Sequence, residues 1–121
     1  LNWKHKISSV LTPTLVDNLI FTITMEGFLV VIENRKGNII RITDIFKQFK
    51  NKKRSKIKPV GFIVGSENIY LTTDHGRLII IDAALGRTKS VLKIDSDKIS
   101  RPFVLNQNLY IIKENSIIKL N

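Results

Sequence analysis

The stretch "HGRLIIIDAALG", residues 75–86, decides the fold of this 121-residue chain. A turn leads into the apolar run Leu78–Ile81, the run ends on Asp82, and a small-residue turn closes on Gly86. Consecutive apolar residues without alternation mark a strand covered on both faces. Isoleucine, branched at Cβ, suits a pleated surface, and the chain holds twenty isoleucines against two alanines. Forty-nine positions earlier the unit is written again as "GFLVVIENRKG", residues 27–37, with Gly27, Glu33 and Gly37 in the places of Gly76, Asp82 and Gly86.

Working outward, the similarity runs from 18–42 onto 68–92, and a third copy begins at "NLYIIKENSIIKLN", 108–121. With the basic segment set aside as an insertion, the copies repeat at about 40 residues, the spacing of four-stranded propeller blades. Short apolar runs bounded by turn residues predict strands over 11–16, 19–24, 28–33 and 39–43 in the first unit. The second unit gives 60–64, 69–73, 77–82 and 88–94, and the third only 102–105, 109–112 and 117–120. "LNWKHKIS", 1–8, reads as a lone outer strand. The expected fold is all-β: propeller-type blades of four antiparallel strands, two complete and a third split. Its expected division is a lone outer strand 1–8, a blade 9–45, a basic inserted loop 46–58, a blade 59–95 and an incomplete blade 99–121. The one helical signal is "TDIFKQF", 43–49, where Asp44 is placed to cap a single turn carrying Ile45, Phe46 and Phe49.

Composition narrows the chemistry. There is no cysteine, which removes disulfides, thiolate metal sites and cysteine nucleophiles. No apolar run approaches the roughly 18 residues of a membrane-spanning helix. The net charge is +10, and seven of those charges, Lys47, Lys50, Lys52, Lys53, Arg54, Lys56 and Lys58, fall in one stretch without an acid. Richness in Lys, Ile and Asn is also what an AT-rich genome yields, so basicity alone is weak evidence of a ligand.

These residues resemble the quinoprotein-type, or PQQ-like, propeller repeat. Its units run through a turn with glycine, a short apolar strand, an acidic residue, a small-residue turn, glycine and then tryptophan. Trp3 falls where the tryptophan of a preceding unit belongs, while Arg41 and Ser90 occupy that place in the next two. The resemblance implies one of two branches. Quinone-dependent dehydrogenases need a stacking tryptophan, carboxylates on calcium and often a vicinal cysteine pair. The non-catalytic branch, which includes the outer-membrane assembly scaffold BamB, works by protein contact in the periplasm. The chain is expected to follow the second branch, as a scaffold without enzymatic activity or cofactor. A fragment of a dehydrogenase whose cofactor residues lie elsewhere is the alternative, and a basic nucleic-acid-binding module is a distant third.

Candidate sites are few. His75 beside Asp74 has the composition of a base and its orienting acid, but no nucleophile accompanies them and a turn is expected. "DSDK", 95–98, alternates like a calcium loop without its glycine or closing glutamate, and a turn is expected there too. Gly61 and Gly65 are expected to let an inner strand approach its neighbours near the propeller axis. The seven cations of the basic segment are the candidate contact for a protein partner or an anionic membrane surface. Nucleic acid is the weaker reading there, with Phe46 and Phe49 as stacking groups. The open ends suggest self-association, the strand carrying Trp3, His5 and Ile7 of one copy pairing with the edge at Ile117, Ile118 and Leu120 of another.

Overall fold

A computed structural model describes residues 11–114 and 116–120. Three antiparallel sheets follow one another along the chain. The first is β1 (Thr14–Val16), β2 (Leu19–Ile23), β3 (Phe28–Glu33) and β4 (Ile39–Asp44), paired in chain order. A one-turn helix α1 (Asn51–Arg54) precedes the second sheet, β5 (Pro59–Val64), β6 (Asn68–Thr73), β7 (Arg77–Asp82) and β8 (Thr88–Lys93), again in order. The third holds β9 (Phe103–Leu105), β10 (Asn108–Lys113) and β11 (Ser116–Lys119), in the order β11-β10-β9. The expected lone strand 1–8 lies outside the described residues.

β3 and β7 occupy the ranges expected of them. β1 is shorter than expected because Pro13 has no N–H to give to a ladder. Leu11 nevertheless keeps one ladder-like bond, donating to the Ile23 carbonyl at 2.8 Å.

The repeated motif is explained by repeated bonds. The Glu33 carboxylate accepts the N–H groups of Arg35 and Lys36 at 2.8 and 3.1 Å. Asp82 Oδ1 accepts those of Ala84 and Leu85 at 2.9 and 2.8 Å. The acid that ends each apolar run therefore caps the turn that follows it. The buried threonines repeat as well. Thr22 and Thr72 donate to the inner-strand carbonyls of Leu11 and Gly61, and Thr24 and Thr73 accept the N–H of Phe28 and Arg77. A β-bulge falls at Val31/Ile32 and again at Ile80/Ile81.

The earlier glycine of each unit solves a crossing. Gly27 and Gly76 have φ of 95° and 77°, and their carbonyls accept the N–H of Ile45 and Ile94, just past the fourth strand. The departing chain passes directly over each glycine. A Cβ at Gly27 would meet the Phe46 ring, and one at Gly76 would meet the backbone of Asp95 and Asp97. Gly61 is likewise approached by Arg101, at the entry to the third sheet.

The sheets pack face to face through alternate side chains. Ile79 and Ile81 of β7 join Ile69 and Leu71 in one core with Phe21, Ile23, Leu29 and Val31 of the first sheet. Leu78 of the same strand turns the other way, into a smaller cluster with Ile99 and Ile111, flanked by Ile80 and Tyr70. The unbroken apolar run Leu78–Ile81 is thus a strand serving two interfaces.

Candidate interaction site

The basic segment 46–58 was expected to be an inserted loop. It is more deeply built in. Asp44 Oδ1 accepts the Phe46 N–H at 3.2 Å, which starts the expected turn. Ile45, Phe46 and Ile57 are buried in the core between the first and second sheets, so this stretch forms part of that interface. Phe49 is half-buried, edge-on to Phe46 with ring centres 5.7 Å apart and edge-on to His75 at 5.5 Å. At the far end Lys58 and Asp74 hold each other. The Lys58 N–H donates to Asp74 Oδ1 at 2.9 Å, and the Asp74 N–H donates to the Lys58 carbonyl at 2.9 Å.

The seven expected contact residues separate into two kinds. Lys47, Lys50, Lys52, Lys53, Lys56 and Lys58 are exposed. Arg54 instead faces inward, with Nη1 and Nη2 donating to the two Asp44 carboxylate oxygens at 2.7 and 2.6 Å. Nη2 also donates to the Glu26 carbonyl at 3.3 Å, and the guanidinium carbon lies 5.4 Å from the centre of the Phe28 ring. Such a bidentate fork fixes geometry in a way that an ammonium cannot. Arg54 holds the segment down, and the six lysines form the outward cationic face.

No hydrogen bond joins His75 to Asp74 among the described residues, and Asp74 Oδ1 accepts the Lys58 N–H instead. The Thr73 hydroxyl shares a 2.6 Å hydrogen bond with His75 Nδ1, and Nε2 is buried without a partner. Burial first, then the cations of Arg77 and Lys53, hold His75 below the ordinary imidazole value, against the opposite pull of Asp74. Ser96 N–H donates to Asp95 Oδ1 at 2.7 Å in the 95–98 stretch. No cluster of potential metal ligands occurs among the described residues. Of the expected exchange edge, Ile117 is 68% exposed on β11, Ile118 is half-buried, and Leu120 packs against the smaller cluster. Trp3, His5 and Ile7 lie outside the described residues.

Sequence reasoning missed one surface feature. Between β4 and β8 runs a groove of about 520 Å³, lined by Thr43 and Lys47 and by residues 86–91. These residues are scattered in sequence and no local pattern joins them. The 49-residue repeat was the available signal, because it places the fourth strands of adjacent units side by side.

No protein-family model and no curated protein matches the chain. Solved structures do. BamB from Moraxella catarrhalis superposes with a TM-score of 0.70 at 14% identity, over 94% of this chain and 31% of that one. The quinohemoprotein alcohol dehydrogenase ADHIIG from Pseudomonas putida HK5 gives 0.65 at 22% identity, over 92% and 17%. The Myceliophthora thermophila Cps50 (Swd1) β-propeller domain gives 0.64 at 17%, over 79% and 32%. The chain thus spans about a third or less of each of these structures. Among the described residues, its stacked antiparallel sheets are β-propeller blades, two of four strands and one of three.

Proposed function

We propose that this chain is a non-catalytic protein-interaction scaffold that meets its partner through the lysine face of the basic segment. One observation carries the reading. A segment rich in like charge is pinned at both ends and rooted in the inter-blade core by Ile45, Phe46 and Ile57, yet all six of its lysines face solvent. A charge run serving only as a solvated connector needs no such root. The likeness in fold to BamB supports a place in outer-membrane protein assembly, in the periplasm or at the outer membrane. β11 has no outer strand partner among the described residues, and with Ile117 exposed this supports self-association by strand addition as a further property.

The test places a photo-crosslinking amino acid at Lys52 and, as control, at Lys98. A scaffold captures a defined protein species from Lys52. Unlabelled chain competes for it, whereas chain carrying Lys50→Glu, Lys52→Glu and Lys53→Glu does not. Equal competition by the reversed chain refutes the role of the lysine face. The likeness in fold to ADHIIG keeps a dehydrogenase fragment as the second reading. Titration with pyrroloquinoline quinone and calcium separates the two, with no calcium-dependent absorbance change expected for the scaffold.

A further inference from the structure

The basic segment touches the second sheet at a group that can change its charge. His75 stands in the turn between β6 and β7, and Phe49 of the segment lies edge-on to its ring, with centres 5.5 Å apart. The two imidazole nitrogens are placed unequally. Nδ1 shares the 2.6 Å bond with the Thr73 hydroxyl, whose oxygen also accepts the Arg77 N–H at 3.2 Å. Nε2 is buried and has no hydrogen-bond partner among the described residues.

A neutral imidazole tolerates that arrangement better than a charged one. Protonation gives both nitrogens an N–H. The Thr73 oxygen can accept one of them, and the other is left buried without an acceptor, which costs more for a charged group than for a neutral one. The surroundings do not compensate. On the hairpin itself Arg77 opposes the new charge and Asp74 favours it, but Asp74 Oδ1 already accepts the Lys58 N–H. On the basic segment Lys53 opposes it. On the chain that follows β8, the Asp95 carboxylate takes the Ser96 N–H and lies 3.9 Å from Lys113 Nζ. Arg77 is held beside the imidazole, because its Nη1 donates to the main-chain carbonyls of both His75 and Asp95, at 2.8 and 3.1 Å.

The part free to yield is the stretch that carries Phe49. The segment is fixed on one side by Phe46, in the core, and on the other by the Arg54–Asp44 pair. Between them Phe49 is half-buried and the lysines are exposed. A stretch with so little buried surface belongs to the low-stability end of a fold.

We infer that His75 is a pH latch on the basic segment: its protonation lifts Phe49 away from the β6–β7 turn and frees the segment between Lys47 and Lys53, while Phe46 and Arg54 stay seated. The sign follows from proton binding. The lifted state exposes the imidazole and takes up a proton more readily, so each unit of pH below the ordinary 6.5 favours lifting, by at most about tenfold. The inference deepens the scaffold reading, and its consequence rests on that reading: acidification disperses the lysine face that meets the partner.

The chain has no cysteine, so Lys50→Cys gives a single attachment point for a nitroxide spin label beside Phe49. Lys36→Cys, exposed in the turn after β3, gives the control. Electron paramagnetic resonance line widths are followed from pH about 8 to about 5. The label at position 50 is expected to gain mobility with a midpoint below 6.5, the label at position 36 to stay unchanged, and His75→Gln to abolish the gain. Circular dichroism establishes that each variant folds, and should His75→Gln not fold, His75→Leu, which has no proton to bind, takes its place. A label at position 50 whose mobility is constant across the range overturns the inference, as does a gain that survives His75→Gln. An equal gain at both positions is general acid unfolding and overturns it too. Each of these outcomes leaves the scaffold reading in place, since crosslinking from position 52 at neutral pH tests that separately.

Discussion

Replacing Phe46 by alanine tests whether the basic segment belongs to the core. Phe46 is 0% exposed, and its ring fills the space above Gly27, which has no side chain to relax into the gap. The flanking backbone is fixed on both sides, by the Ile45 N–H to Gly27 carbonyl bond before it and by the Phe49 N–H to Phe46 carbonyl bond after it, each at 3.0 Å. A site so bounded collapses poorly, so the cost belongs at the upper end of the usual Phe→Ala range, about 4–5 kcal/mol. For a domain of this size that is a fall in Tm of more than about 10 °C. Urea unfolding followed by circular dichroism measures it. Lys52→Ala, in the same segment but exposed, is the comparator and is expected within about 0.5 kcal/mol of the parent. Should Phe46→Ala not fold at all, Phe46→Leu at about 1–1.5 kcal/mol keeps the comparison measurable. A loss below about 1 kcal/mol for Phe46→Ala would show that 46–58 is a detachable loop, and the root on which the scaffold reading rests would be gone.

Arg54→Ala is expected to cost about 1 kcal/mol in the same assay, modest because the pair is partly exposed, while Lys50→Ser with Lys53→Ser costs less than about half of that. Gly76→Ala is expected to destabilise by more than about 2 kcal/mol, because the obstructing atoms are the backbone of Asp95 and Asp97 and the residue already has positive φ. His75 titrates below the ordinary 6.5 in the folded chain, so its contribution is fully present above that value and is lost as pH falls below it. His75→Gln should flatten that acid-side slope of stability against pH, and an unchanged slope would assign it to other groups. Phe49→Ala exposes the imidazole, and its pKa by NMR should move back up toward 6.5.

Much of the fold was legible because the repeat writes structural needs into single residues. An acid that must cap a turn and a glycine that must let the chain cross over it leave little choice of residue type, so β3 and β7 were bounded correctly from the text alone. The basic segment was legible only at its first step, the cap by Asp44. A helix of one turn is too short to show a period, and Phe46 looks the same in sequence whether it lies on an edge or in a core. Arg54 could not be told from the lysines around it, because its role depends on Asp44, Glu26 and Phe28, which come together only after β3 and β4 have paired. The groove was invisible for the same reason, being a product of the stacking of two sheets.

The two-sided strand β7 has a consequence for how the molecule comes apart. Each sheet touches only its neighbours, so stability is shared out as in a one-dimensional chain of coupled units. The middle sheet is held from both sides, by the large cluster through Ile79 and Ile81 and by the small one through Leu78. Among the described residues the third is held through the small cluster, whose fully buried members are Leu78, Ile99 and Ile111, with the Arg101 approach to Gly61 and the Lys113–Asp95 ion pair beside it. Amide protons of β10 and β11 should therefore exchange with solvent through partial openings that leave the rest folded. Those of β6 and β7 should exchange only when the whole array unfolds. On this account the third sheet is the reversible flap of the molecule and the middle one its keystone.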